Sequence, residues 1–328
     1  MKNNLKYLVS AMLVASSAVA FTSCDDWTEP ESIDTRYLTL EDNPEYAEYC
    51  AAIRKYRATD HRQVYAWIAN PEAGAAGQGQ RLTAMPDSVD VIVLEAPGQV
   101  SETTLADMAT VRERFAQKVM YTIDFDALNS AYALLAEDLA AQRGLLDPEA
   151  EDYAEKMAAL ATPDRTDYVL DNLTKQLSYV KTTGFDGVIF AFDGKATNHL
   201  TESELAEYNA LKLLCLGSAS DWHNRFPAMK YDYIGIPQYL AGTPYVDEFG
   251  TLFIREGASA TNGDIFQYLY NMACDEGVPA EKIGMLVSNT TPADSDAGVL
   301  SDKSLAIDAL TKWVGSSPVH SVGVLIAN

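Results

Sequence analysis

The stretch Thr183-Gly-Phe-Asp-Gly-Val-Ile-Phe-Ala-Phe-Asp193 is an apolar run closed at both ends by polar residues. A run this short, bounded by turn formers and rich in branched and aromatic side chains, predicts a strand buried on both faces over Phe185–Phe192. Side chains alternate along a strand, so positions 189, 191 and 193 share one face. Similar runs recur on either side of it. Gln63–Ile68, Val89–Leu94 and Lys118–Ile123 precede it, and Tyr231–Ile236, Thr251–Ile254, Lys282–Val287 and Val319–Ile326 follow.

Helical patterns fill the gaps between these strands. Ser101 and Thr201 stand as N-caps before helices that run to about Ala116 and on from about Glu202. Further helices are expected over 126–183 in two or three pieces, over 264–276 and over about 303–314. Ahead of the first strand, Pro44–Ala58 places Tyr46, Tyr49, Ile53 and Tyr56 on one helical face, which reads as packing. Eight buried strands joined by helical crossovers predict an α/β chain folded as a (β/α)8 TIM barrel over 44–328. The sequence stops at Asn328, directly after the eighth strand, so the expected barrel either lacks its last helix or closes without it.

The N-terminus carries a different message. Met1–Lys6 is a short positive head, Tyr7–Phe21 an apolar run, and Phe21-Thr-Ser-Cys24 a small-residue exit. That order defines a secretory signal over 1–23, and the run is too short to span a membrane stably. The exit resembles a bacterial lipobox, which implies Cys24 as the lipid-bearing first residue of the mature chain. The segment that follows, Asp25-Asp-Trp-Thr-Glu-Pro-Glu-Ser32, opens an acidic tether over 24–43 that cannot bury enough surface to order itself. It resembles the acidic stretch that directs Bacteroidetes lipoproteins to the outer face of the outer membrane.

Composition narrows the ligand. Lys plus Arg number 24 against 47 Asp plus Glu, a net charge of −23, which repels nucleic acid and leaves a neutral sugar unpenalised. Four histidines and the cysteines Cys50, Cys215 and Cys274 show no metal-ligand spacing, so neither metal nor cofactor is expected; the three thiols read as buried and free, with a disulfide between two of them as the alternative in an oxidising compartment.

Strand four also carries a family likeness. Residues 183–193 resemble the fourth-strand signature D-G-x-D-x-D-x-E of glycoside hydrolase family 18, the chitinases and endo-β-N-acetylglucosaminidases. His199-Leu-Thr-Glu202, Ile236-Pro-Gln238 and Glu276-Gly-Val-Pro279 resemble landmarks of a Bacteroidetes lipoprotein branch of that family. In the family the final Glu protonates the leaving oxygen, and the Asp two residues before it orients the substrate acetamido group that acts as nucleophile. The corresponding positions here read Ile189, Ala191 and Asp193, so two of three carboxylates are apolar and the third is one methylene shorter. The family's sixth-strand Tyr is missing from Thr251-Leu-Phe-Ile-Arg255 as well. Asp186-Gly187 is kept, with a structural role expected: Asp186 bonding local backbone and Gly187 permitting close packing.

Ligand residues are expected at the C-terminal strand ends, where such barrels carry function. The candidates are Trp67 and Asn70 after strand one, Asp193 and Asn198 after strand four, Gln238 and Tyr239 after strand five, and Asn289 after strand seven. Asp124, Phe125, His199 and Glu256 occupy comparable positions, with Asp124 also placed to cap the next helix and Trp67 also placed for the core. Trp222 and Trp313 read as helix filler. The resemblance then implies a non-catalytic, lipid-anchored outer-membrane protein that captures N-acetylglucosamine-containing glycans, N-glycans among them, for uptake beside an importer complex. Two alternatives are an active endo-β-N-acetylglucosaminidase using Asp193 as acid, and a structural subunit of the importer.

Overall fold

The computed structural model describes residues 42–326 except 71–72, 76, 96–97, 99, 194–196, 238–239, 241–242, 256–261 and 290–294. The chain divides into two units, residues 1–51 and 52–328. Cys24 and the tether lie outside the described residues. The first unit's described part carries the opening turns of α1 (Tyr46–Arg57), where Tyr46 and Tyr49 stack at 6.4 Å and Cys50 is buried. The expected tyrosine face packs only in part, with Tyr46 and Ile53 half-buried. Tyr49 is 45% and Tyr56 55% exposed, because the buried position of this helix falls at Cys50.

The second unit is a closed barrel of eight parallel strands in sequential order. They are β1 (Gln63–Ile68), β2 (Val91–Leu94), β3 (Lys118–Asp124), β4 (Gly187–Phe192), β5 (Lys230–Gly235), β6 (Leu252–Arg255), β7 (Ile283–Ser288) and β8 (Ser321–Ile326). The crossovers carry α2 (Glu102–Phe115), then α3 (Phe125–Gly144), α4 (Tyr153–Ala159) and α5 (Arg165–Thr183) in the long β3–β4 connection. After β4, β6 and β7 come α6 (Glu202–Arg225), α7 (Asp264–Asp275) and α8 (Ala306–Val314). Closure is made by β8 pairing with β1 from Gln63↔Ser321 to Ile68↔Ile326, with no further helix required for it.

Alternation sorts the side chains into two cores. Residues pointing outward pack under the helices, while Tyr65, Trp67, Val91, Val93, Met120, Ile189, Ile234, Phe253 and Leu286 fill the barrel interior. The Trp67 ring dictates a glycine opposite it, since a Cβ on Gly323 would lie 2.4 Å from the indole.

The lower end is closed by a polar network. Asp232, fully buried, accepts from Tyr65 Oη (2.8 Å) and from the Thr251 amide (2.9 Å), with Lys230 Nζ 3.5 Å away. Lys230 Nζ also donates to Gln63 Oε1 at 2.7 Å. Carboxylates before two other strands act similarly: Asp90 accepts the Val64 amide and Asp186 the Val119 amide, both at 2.8 Å. Each such bond ties a strand's first free N–H to its neighbour, satisfying backbone donors that the ladder leaves over.

Candidate functional site

Chemistry in this architecture belongs to the upper, C-terminal strand ends, and the β3–β4 pair builds that region here. Register places Thr122 beside Ile189 and Asp124 beside Ala191. Ile189 is wholly buried in the interior cluster, and Ala191 packs against that cluster one layer higher. Thr122 Oγ1 and Trp67 Nε1, both buried, have no hydrogen-bond partner among the described residues. Among the described residues no polar side chain at Ile189 or Ala191, the positions where the family motif calls for carboxylates, can satisfy them.

Above this apolar layer three carboxylates converge. Asp124 caps α3, its Oδ1 accepting from the Ala127 amide at 2.8 Å. Asp126 Oδ2 accepts the Asp193 amide at 2.9 Å, which fixes the backbone just beyond β4. Burial pushes the Asp126 carboxyl up; the Asp193 amide offsets part of that, and the nearby Asp124 and Asp193 charges add to the rise. Asp193 itself is exposed.

From Asp126 the site continues sideways into a cleft of about 490 Å³ between α3, α5 and α6. Asp126, Asn129, Arg165, Phe192, Glu204 and Tyr208 contribute to its walls. Phe192, the last residue of β4, stacks on Tyr208 with centroids 6.1 Å apart. Arg165 pairs with Glu207, donates to Asn129 Oδ1 at 3.3 Å, and keeps a buried Nε with no partner among the described residues. The helix that carries Tyr208 is held in place by a full capping box at Thr201 and Glu204.

Across the mouth, Glu95 follows β2 on the same face as Val91 and Val93, and its amide donates to Ile68 O at 3.1 Å. Burial raises its carboxyl pKa, against the pull of the Arg255 guanidinium at the end of β6.

The sequence candidates scatter over this geometry. Trp67 is 1% exposed, packed on Tyr65 and Phe253, so neither ring face is offered to a sugar. Asn70 is 4% exposed, with Nδ2 buried and unpartnered among the described residues. Asn198 and His199 are exposed neighbours beyond β4, their side chains 3.4 Å apart. Asn289 is half-buried after β7, its amide bonded to Leu325 O. Gln238, Tyr239 and Glu256 lie outside the described residues. Of the described candidates, Asp193 and Asp124 belong to the carboxylate cluster. Asp126, Glu95 and Arg165 were not among the candidates, although Glu95 had a signal: it is the first residue beyond a predicted strand.

The described residues form a closed parallel (β/α)8 barrel with carboxylates and aromatics gathered at the upper end of β4. The chain belongs to glycoside hydrolase family 18, its BT1044-like group, whose family model matches residues 28–309. Among solved structures, a selenomethionine-containing variant of BT1044 is 16% identical with a TM-score of 0.54, covering 88% of this chain and 89% of that one. The glycoside hydrolase domain of PelA from Pseudomonas aeruginosa is 14% identical, with a TM-score of 0.43, over 80% of this chain and 94% of its own. Human YKL-39, described as a pseudo-chitinase with retained chitooligosaccharide binding, is 7% identical, with a TM-score of 0.48, over 80% and 92%. No curated protein matches the chain.

Proposed function

We propose that this protein is a non-hydrolytic glycan-binding member of its family, held on the outer face of the outer membrane by lipid on Cys24. Its ligand is an N-acetylglucosamine-containing glycan bound at the β4 end and in the adjoining Asp126–Tyr208 cleft, and delivered to an importer. One observation carries the reading: the positions for the orienting and supporting carboxylates are Ile189 and Ala191, packed into or against the apolar interior. Removing a general acid alone costs about 10²–10⁴-fold in rate, and removing the group that aligns the acetamide adds an orientation penalty. Binding has no such requirement. Aromatic walls, a carboxamide and carboxylates in a cleft of this size suit one or two sugar rings.

Incubating the purified mature chain with a fluorescently labelled biantennary N-glycan tests this directly. Intact glycan that co-elutes with the protein is the expected result, with affinity lowered at least tenfold in Arg165→Ala and Tyr208→Ala. Released oligosaccharide would overturn the non-hydrolytic reading, and neither release nor affinity would favour a structural subunit.

A further inference from the structure

A second cavity, of about 640 Å³, opens on the outside of the barrel between α7 and α8. It shares no residue with the cleft beside β4. Trp313 from α8 and Gln267 from α7 form its fixed part. The Trp313 indole N–H donates to Gln267 Oε1 at 3.0 Å, and Gln267 Nε2 donates to Asn271 Oδ1 at 2.7 Å. Phe266 and Tyr270 back the indole with ring centroids at 6.0 Å. Ring and carboxamide are therefore set relative to each other before any ligand arrives. A primary amide can accept one more hydrogen bond and donate one more beyond these two.

The rest of the lining is charged and nearly balanced: Asp264, Asp302 and Asp308 against Lys303 and Lys312. Asp302 accepts from the Ser304 amide and hydroxyl, which stabilises its ionised form and lowers its pKa. Lys303 holds φ +70°, a conformation few non-glycine residues adopt, at the turn leading into α8. A half-buried indole beside a preset carboxamide and several carboxylates suits a neutral polyhydroxylated ring: its C–H face meets the aromatic system and its hydroxyls meet planar acceptors. Near-balanced charge gives a phosphate or a cation no comparable advantage.

We propose that the α7–α8 cavity is a second carbohydrate site, binding one neutral pyranose unit of a polymeric glycan. Only the ligand class is shared with the β4-end reading, and either site can stand without the other. Two sites on one chain make capture of a polymer bivalent, so avidity exceeds either single affinity wherever the chain of sugars can span both.

Indole ¹H–¹⁵N spectroscopy of the mature chain tests this, with the Trp313 signal assigned from Trp313→Phe. The probes are an N-acetylglucosamine tetramer, a biantennary N-glycan and a mannose tetramer, each taken to about 10 mM, where a millimolar site fills. The expected result is a saturable shift of the Trp313 signal by at least one probe. It should persist in Asp193→Ala and weaken at least tenfold in Gln267→Ala and Asp308→Ala, two exposed positions whose variants should melt like the parent. Three outcomes would overturn the proposal: no probe moves Trp313, the shift disappears with Asp193→Ala, or only a partner protein moves it. If Asp193→Ala abolishes glycan retention at the β4 end while the Trp313 shift remains, the two readings are separated.

Discussion

At position 189 a branched apolar side chain fills space that the family motif gives to a carboxylate, wholly buried in the interior cluster. Ile189 lies between Thr122 and Asp232 in the register of its neighbours. Ile189→Asp would set a second acid beside a buried one and remove an interior hydrophobe, so we expect a loss of about 3–5 kcal/mol in urea unfolding. Ala191→Asp, in a partly open layer, should cost less, about 1–2 kcal/mol. The double change Ala191→Asp with Asp193→Glu should bind the labelled N-glycan without cleaving it at a family rate, because Ile189 and the sixth strand are unchanged; full hydrolysis would show that fewer positions matter. Glu95 offers a pH test. Burial raises its pKa, so between the unfolded and folded values the folded state binds more protons and stability falls as pH rises. Glu95→Gln should therefore gain stability over the parent above that window and lose the advantage near about pH 4, where an unfolded Glu is itself half protonated; parallel melts from acid to neutral pH read this out. The inward orientation of 189 and 191 was legible because strand period is a local property, whereas Asp193 falls just beyond the strand's end. The burial of Glu95 was not, since it depends on what closes around the end of β2 and on Arg255, which is 160 residues away in the chain.

Strand four shows how an element is held by its first residues. Asp186 Oδ2 accepts from the Val119 amide at 2.8 Å and from Arg112 Nε at 2.9 Å, and Arg112 also donates to Gly184 O. Asp186→Ala should cost about 1–3 kcal/mol in chemical denaturation, because it orphans an amide at the start of β3. At Gly187 a Cβ would meet the Lys230 carbonyl oxygen at 2.3 Å, a backbone atom that cannot swing aside. Gly187→Ala should cost at least about 1–3 kcal/mol, and a neutral result would mean β4 and β5 separate more easily than their register implies. Sequence reading placed both residues in structural roles, and caps at Ser101, Asp124 and Thr201 stand where polar residues precede apolar periodicity. It failed where a single backbone angle decides. The last helix begins at Ala306 rather than near Lys303, since a residue at φ +70° cannot lie within a right-handed helix. It failed too for Tyr49 and Tyr56, where helical spacing marked a face but nothing local said whether a neighbour would cover it.

On the scale of the whole molecule, closure of β8 on β1 makes the barrel a unit in itself, with Arg62 donating to Val314, Ser317 and Val319 carbonyls beneath the seam. The eight strands were legible one by one because each is a bounded apolar run, and parallel order follows from the crossovers between them, which carry an α-helix among the described residues in five of seven connections. The site was not legible in the same way. Its cleft is assembled from α3, α5 and α6, three segments whose adjacency arises only after the barrel has formed. On the proposed reading the protein binds without turnover and is useful only where it stays, which is the role proposed for lipid on Cys24. Cys24→Ser should leave the barrel folded, with an unchanged melt, and move the protein from the membrane fraction to the soluble one. Protease added to intact cells should then no longer reach it, whereas the parent chain is cut at the acidic tether. A Cys24→Ser protein that remained membrane-bound and surface-exposed would assign retention to contacts of the barrel instead. The loss of cell-associated polymeric glycan should be larger in Cys24→Ser than in either binding-site variant alone, because detachment removes both sites from the surface at once.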